Sequence, residues 1–261
     1  MKLAVAIKQV PDTESKIIIA GDGASIDGSN VTLVVNPYDE FALEEALRIK
    51  ESKGAGEVVV VTAGGEKSAQ ALRTCLAIGA DRAVHVKDPA VENADALALA
   101  KILAAVMKEI GPDLILTGKY AVGTDNQLVG PMLAELLGIP HVGVVTKLQL
   151  GDGKLTAERE IEGALEVVTS TLPCVITAQK GLNEPRYASL KGIMAAKKKP
   201  IDEKTVSSLG LDPAKLAPRV VWEKLELPPK KASGKVLKGE ENPAAAAREL
   251  VRLLHEEAKV I

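Results

Sequence analysis

The stretch EVVVVTAGGEKS, Glu57 to Ser68, sets four consecutive valines before Ala63, Gly64 and Gly65. An unbroken β-branched run has no solvent face, so it reads as a strand covered on both sides, as parallel strands are. The small residues after it mark a turn, and EKSAQALRTCLAIG, Glu66 to Gly79, then follows with helical spacing. The same rhythm repeats outward in both directions. KLAVAIKQV, Lys2 to Val10, reads as a first buried strand stopped by Pro11 and Asp12. IIIAGDGASIDGSNVTLVV, Ile17 to Val35, reads as two short strands around a Gly/Asp/Ser turn. NPYDEFALEEALRIKESKG, Asn36 to Gly54, has acids in its first turn and apolar Phe41, Leu43, Ala46, Leu47 and Ile49 at helical spacing. Downstream, ADRAVHVKD and PDLILTGK read as strands around the helix NADALALAKILAAVMKEIG. A helix entered at Thr124 or Asp125 and the strand HVGVVTKLQL come next. Strand–helix alternation with short connections predicts an α/β fold with a doubly wound, mostly parallel sheet of the adenine-nucleotide-binding type.

After Leu150 the pattern changes. GDGKLTAEREIEGALEVVTSTLPCVITA, Gly151 to Ala178, predicts a β-hairpin and a return strand. Residues 200–242 are rich in Pro and Lys with scattered apolar residues, too few to bury a core of their own. An amphipathic helix from Asn242, with Pro243 at its first position, closes the sequence. The expected organisation is an α/β domain over 1–200 and an extended arm over 201–261.

Composition narrows the chemistry. Aromatics are 2% of the 261 residues, so base stacking on aromatic rings is not a main binding mode, and a net charge of −2 provides no field for nucleic acid. No apolar run approaches the ~20 residues of a membrane-spanning helix, and the first residues read as a strand rather than a signal peptide, so the expected compartment is the cytoplasm. Cys75 and Cys174 sit among apolar residues and read as buried thiols. His85, His141 and His255 have no nucleophile elbow beside them and no metal-ligand spacing between them. The four carboxylates of EREIEGALE, Glu158 to Glu166, admit a general acid/base pair, or more simply a solvated hairpin face. Three strand ends carry small residues before a helix: Asn36–Pro37, Ala63–Gly65 and the loop GKYAVGTDNQLVG. Ligands of open α/β sheets bind at carboxyl strand ends, and free amides at helix starts suit phosphate. Each loop also reads as an ordinary tight turn.

Several segments together resemble one family. VAIKQVPD, NPYDEFALEEALRIKE, LRTCLAIGADRAVHV, EREIEGALEVVTSTLPCVITA and LNEPRYASLKGIMAAKKKP occur in this order over about the first 200 residues, and they resemble the β subunit of electron-transfer flavoproteins. The resemblance implies a non-enzymatic electron-carrier subunit paired with an α subunit that holds most of the FAD, while this subunit binds AMP. It implies nucleotide contacts at Ala6, at Asn36, Pro37, Tyr38 and Asp39, at Ala63, and along Tyr120, Ala121, Val122, Gly123, Thr124, Asp125, Asn126, Gln127, Leu128, Val129 and Gly130. It further implies that residues 182–199 form a recognition loop for partner dehydrogenases, with Leu190 as the anchor beside Tyr187, Ile193 and Met194, and with Lys197–Lys199 steering toward acidic partners. Electrons would pass on to a quinone oxidoreductase or another acceptor, and the arm would dock on the α subunit. Electron-bifurcating members carry a second FAD in place of AMP; Gly123, where those members tend to have aspartate, leans toward AMP. Two departures stand out: Ala164, where Gly or an acid is common, and Leu190-Lys191-Gly192 where Leu-Pro is frequent, which implies a looser loop. A stand-alone nucleotide-binding stress-type protein or nucleotide-using enzyme is the alternative of another class.

Overall fold

The computed structural model describes residues 1–230, 234–239 and 242–261, in two compact units, Met1–Lys224 and Leu225–Ile261. In chain order the elements of the first unit are β1 (Lys2–Ala6), β2 (Gln9–Pro11), β3 (Leu33–Val35), α1 (Pro37–Lys53), β4 (Glu57–Ala63), α2 (Ser68–Ile78), β5 (Arg82–Val86) and α3 (Pro89–Glu92). They continue with α4 (Ala96–Ile110), β6 (Leu114–Gly118), α5 (Val129–Leu137), β7 (His141–Leu150), β8 (Lys154–Ile161), β9 (Ala164–Thr171), β10 (Cys174–Ala178), α6 (Leu190–Ala196) and β11 (Ile201–Lys204). In the second unit α7 (Pro243–Arg252) starts at Asn242, whose side chain accepts from the Ala245 amide.

Nine strands form one sheet in the order β11-β5-β4-β1-β6-β10-β7-β8-β9. The first seven run parallel, and β7, β8 and β9 form an antiparallel meander. The valine run lies in β4 with Val58 to Val61 fully buried, as a strand covered on both faces must be. One face of the sheet packs on α1 and α2, the other on α4 and α5. The chain leaves β1 toward α1 on one face and leaves β6 toward α5 on the other. A crevice opens between the carboxyl ends of these two neighbouring strands, the switch point at which such sheets bind ligands.

The structure redraws several expected boundaries. The first strand ends at Ala6, because the Lys8 amide donates instead to the Asp39 carboxylate at 2.7 Å. Residues Gln9–Pro11 then pair antiparallel with Leu33–Val35, so Pro11 ends a second strand rather than the first. Of the two strands expected over 17–35, the first is reduced to a single bridge between Ile19 and Ile26. Helix α5 starts at Val129, not at Thr124 or Asp125: Asp125 and Gln127 take the left-handed conformation, with φ of 45° and 52°, and break any helical turn before it. The Gly151–Gly153 turn and the Glu162–Gly163 turn make two successive hairpins rather than one. Past Pro200 the chain adds the parallel edge strand β11 beside β5 and buries Val206 and Leu216, so the first compact unit extends to Lys224.

Candidate functional site

The crevice is a cavity of about 930 Å³, at the upper end of the volumes typical of small-molecule sites. It is lined by Ala6, Ile7 and Lys8 at the end of β1, Ala63 at the end of β4, and Thr117, Gly118 and Lys119 at the end of β6. Asp39 ties three of the surrounding segments together. From the first turn of α1 its buried carboxylate accepts the amides of Lys8, at 2.7 Å, and Gly118, at 2.9 Å. This close approach needs glycine at 118, since a Cβ there would collide with the Asp39 carboxylate and the Tyr38 side chain. Asn36, fully buried, holds the next loop: its Nδ2 donates to the Tyr120 carbonyl at 2.9 Å and its Oδ1 accepts from the Val122 amide at 3.1 Å. Asn36 starts α1 with no side-chain cap bond, because its amide group is used by that loop. Tyr38 and Tyr120 share a hydroxyl–hydroxyl hydrogen bond of 2.9 Å, with Lys119 Nζ above both rings at 5.1 and 4.8 Å. That hydrogen bond, then burial, pushes the Tyr120 hydroxyl up to about 12.

Of the residues expected at the site, Ala6, Asp39, Ala63, Tyr120, Ala121, Thr124, Asn126, Gln127, Leu128, Val129 and Gly130 line the cavity. Asn36, Pro37, Tyr38, Val122, Gly123 and Asp125 do not; Asn36 and Tyr38 brace the loop by the bonds above. Lys8 and the segment Arg219–Trp222 line it without having been expected, and Lys119 lines it as part of the loop GKYAVGTDNQLVG. Helix α5 opens on the cavity with no side chain capping its amides, and Gly123 stands at φ +92°. A helix start left open toward a cleft has the donor chemistry of a phosphate site.

The other candidates resolve into ordinary structure. Cys75 and Cys174 are free and buried, and His85 Nε2 lies 3.0 Å from the Gly64 carbonyl. In the meander Glu158 pairs with Lys147 and Glu166 with Arg159, as on a solvated hairpin face. Among the described residues no cluster of three or more His, Cys, Asp or Glu could hold a metal, and no helix is long and apolar enough to cross a membrane.

Comparison with known proteins decides the family. A family model of the electron transfer flavoprotein domain matches residues 25–209. The chain is 45% identical over 262 residues to the electron transfer flavoprotein subunit beta of Bacillus subtilis, covering all of both chains. It is 41% identical over 260 residues to that of Syntrophomonas wolfei, covering 100% of this chain and 98% of the relative. It is 40% identical over 263 residues to the mitochondrial subunit beta of Arabidopsis thaliana, again over the full length of both. The chain belongs to the electron transfer flavoprotein β-subunit family.

In this electron transfer flavoprotein chain, the segment from Leu182 to Lys199 is held at both ends. At its start Asn183 Nδ2 donates to the Phe41 carbonyl and the Glu45 carboxylate, both at 3.0 Å. Arg186 then grips α1: its Nε and Nη2 donate to Glu44 at 2.8 and 3.0 Å, and Nη2 also to Glu51 at 2.9 Å. At its far end Lys199 Nζ donates to the carbonyls of Leu76 and Ala80, and Arg73 donates to those of Ala196 and Lys199. Lys199 is therefore engaged within the fold, and Lys197 and Lys198 are the lysines left exposed. Between the anchors α6 starts at Ser189, whose hydroxyl accepts from the Gly192 amide at 3.0 Å. Gly192 read as a source of looseness; here it is a packing point, because a Cβ would collide with the Ala77 carbonyl of α2. Tyr187 and Leu190 stand 98% and 79% exposed, and Ile193 and Met194 are also exposed.

Burial pushes the Asp39 carboxyl up to about 7, against the opposing pull of the Lys8 and Gly118 amides, the Asn36 side chain and the Lys8 charge. A carboxyl with a raised folded-state pKa stabilises the fold below its ordinary value, 3.8, and loses that contribution as pH rises to about 7. The contribution is at most on the order of 4 kcal/mol. Asp39→Asn does not titrate, so its Tm should fall less than the parent's between pH 4.5 and 8 in thermal unfolding. Parallel Tm curves would show that Asp39 stays ionised throughout.

Proposed function

We propose that this chain is the AMP-carrying β subunit of a heterodimeric electron carrier, which takes electrons from dehydrogenases and delivers them to a quinone oxidoreductase or another acceptor. FAD, held mainly by the α subunit, supplies the redox chemistry when bound. This chain supplies the scaffold and the grip. The open start of α5, at Gln127–Gly130, would hold the AMP phosphate, and Ala6 and Ala63, small residues of the same lining, would let the rest of the nucleotide approach the strand ends. A ligand that binds the folded state alone stabilises it by mass action, so AMP stiffens the crevice without taking part in electron transfer. Gly123, where bifurcating members tend to have aspartate, supports AMP over a second FAD.

The observation that carries the docking role is Leu190, an exposed leucine at the start of a helix anchored on both sides. A side chain held out on a rigid base loses little entropy on docking, and one central anchor can dominate a transient interface. Residues beyond Lys224 form the second unit and are assigned to docking on the α subunit. Co-expression with an α subunit tests the assignment: a stable 1:1 pair with flavin absorbance is expected. A colourless homodimer that hydrolyses ATP would contradict it and support a stand-alone nucleotide-using protein.

A further inference from the structure

We infer that Arg219–Trp222 is a wall of the nucleotide site, with Val220, Val221 and Trp222 covering the base and Asp95 holding the segment in position. The inference rests on the reading that the crevice takes a nucleotide, and it adds residues that reading does not contain. Three observations carry it. First, the segment lines the same cavity as the carboxyl ends of β1, β4 and β6. Second, its three apolar residues run consecutively and stay 68–73% exposed, which is unfavourable in water unless something covers them. Leu99 and Leu103 of α4 and Met132 of α5 line the same cavity, so its lining combines apolar side chains with the open amides at the start of α5. A nucleotide combines the matching chemistries, an apolar ring face at one end and a phosphate at the other. The chain's one tryptophan is placed here, in a sequence with very few aromatics.

Third, the segment is pinned. Asp95 uses both carboxylate oxygens: Oδ1 accepts from the Ala98 amide at 2.8 Å and caps α4, and Oδ2 accepts from the Arg219 amide at 2.7 Å. Just upstream, buried Leu216 fastens the chain to the core. A wall fixed at this point needs no ordering when the ligand arrives. Asp95 also lines the cavity, and it is assigned here as a positioning residue that holds this segment.

Calorimetric titration of the nucleotide-free αβ pair tests the inference. Trp222→Ala should raise the Kd for AMP and for adenosine alike, by about 10-fold. It should leave the Kd for ribose 5-phosphate, which lacks the base, unchanged. Asp95→Ser keeps a hydroxyl to cap α4 but loses the second acceptor, and should raise the AMP Kd about 3-fold with the Tm of the pair preserved. If AMP binds the parent pair and both variants with the same Kd, the strap is no part of the site while the nucleotide reading stands. Equal weakening toward ribose 5-phosphate would overturn the base contact. If the parent pair binds no nucleotide, the reading and the inference fall together.

Discussion

Replacing Leu190 by alanine should slow electron transfer from a donor dehydrogenase by about 10- to 100-fold at sub-saturating carrier, with the FAD and AMP content of the purified pair unchanged. The size follows from the anchor: fully burying one leucine contributes about 1.5–3 kcal/mol, and each 1.4 kcal/mol is tenfold in affinity. The separation of effects follows from geometry. Leu190 is 79% exposed and lies outside the cavity lining, so removing its side chain opens no void in the core and removes no contact in the crevice. The loss should appear in apparent affinity, and saturating carrier should restore most of the rate. Tyr187→Ala, Ile193→Ala and Met194→Ala, on the same exposed surface, should each cost less than Leu190→Ala. Stopped-flow traces over a range of carrier concentrations check this. A Leu190→Ala variant that loses flavin would show a structural leucine, and one that keeps the parent rate would place docking elsewhere.

The second large effect is expected at Arg186. Its partner Glu44 has a side chain only 4% exposed, tied also to Arg48 of the next turn. Burial alone would raise the Glu44 carboxyl, but hydrogen bonds from Arg186 and then Arg48 outweigh it and hold the group below the ordinary glutamate value. Removing one member of a buried pair strands the other charge, at a typical cost of about 3–5 kcal/mol. Here Arg186 is itself a third exposed and Arg48 remains, so Arg186→Ala should destabilise the chain by about 2–3 kcal/mol. The sign with pH is fixed: a lowered carboxyl stabilises above its unfolded value, about 4.3, and that contribution disappears as pH falls through the folded one. The difference in stability between parent and variant should therefore shrink below about pH 4. Denaturant titration at pH 7 and at pH 3.5 measures both points; an equal difference at the two would show that the ion pair is not its source. The same variant should also accelerate amide hydrogen exchange in α6, since one of its two upstream anchors is gone and only Asn183 remains.

The long parallel strands and their helices were legible because their signals are local. The valines of β4 admit no solvent face, and α1, α2 and α4 announce themselves by spacing and by the glycines after them. The parts that were not legible depend on partners distant in sequence. Lys8 leaves the first strand because its amide is claimed by Asp39, thirty-one residues on. The loop before α5 reads as helix until Asp125 and Gln127 turn left-handed within it. Strand β11 is four residues of mostly polar sequence, with no alternation to mark it, and becomes a strand only because β5 offers an open edge. At the site, the strand-end residues were found by the general rule for α/β sheets. The Arg219–Trp222 strap was missed because only the folded chain brings it there. The lone tryptophan was the one local signal that could have pointed to the strap. The grip of Arg186 on Glu44 and Glu51 was likewise hidden, although the two glutamates lie seven residues apart, on one side of α1.

Native mass spectrometry of the pair formed with the α subunit tests most directly whether this chain is the nucleotide-filled, flavin-free half of the carrier. The account predicts one AMP and one FAD per heterodimer, with the AMP retained on this chain when the subunits are separated in the gas phase. Two FAD molecules per pair, or a chain released without any nucleotide, would contradict it.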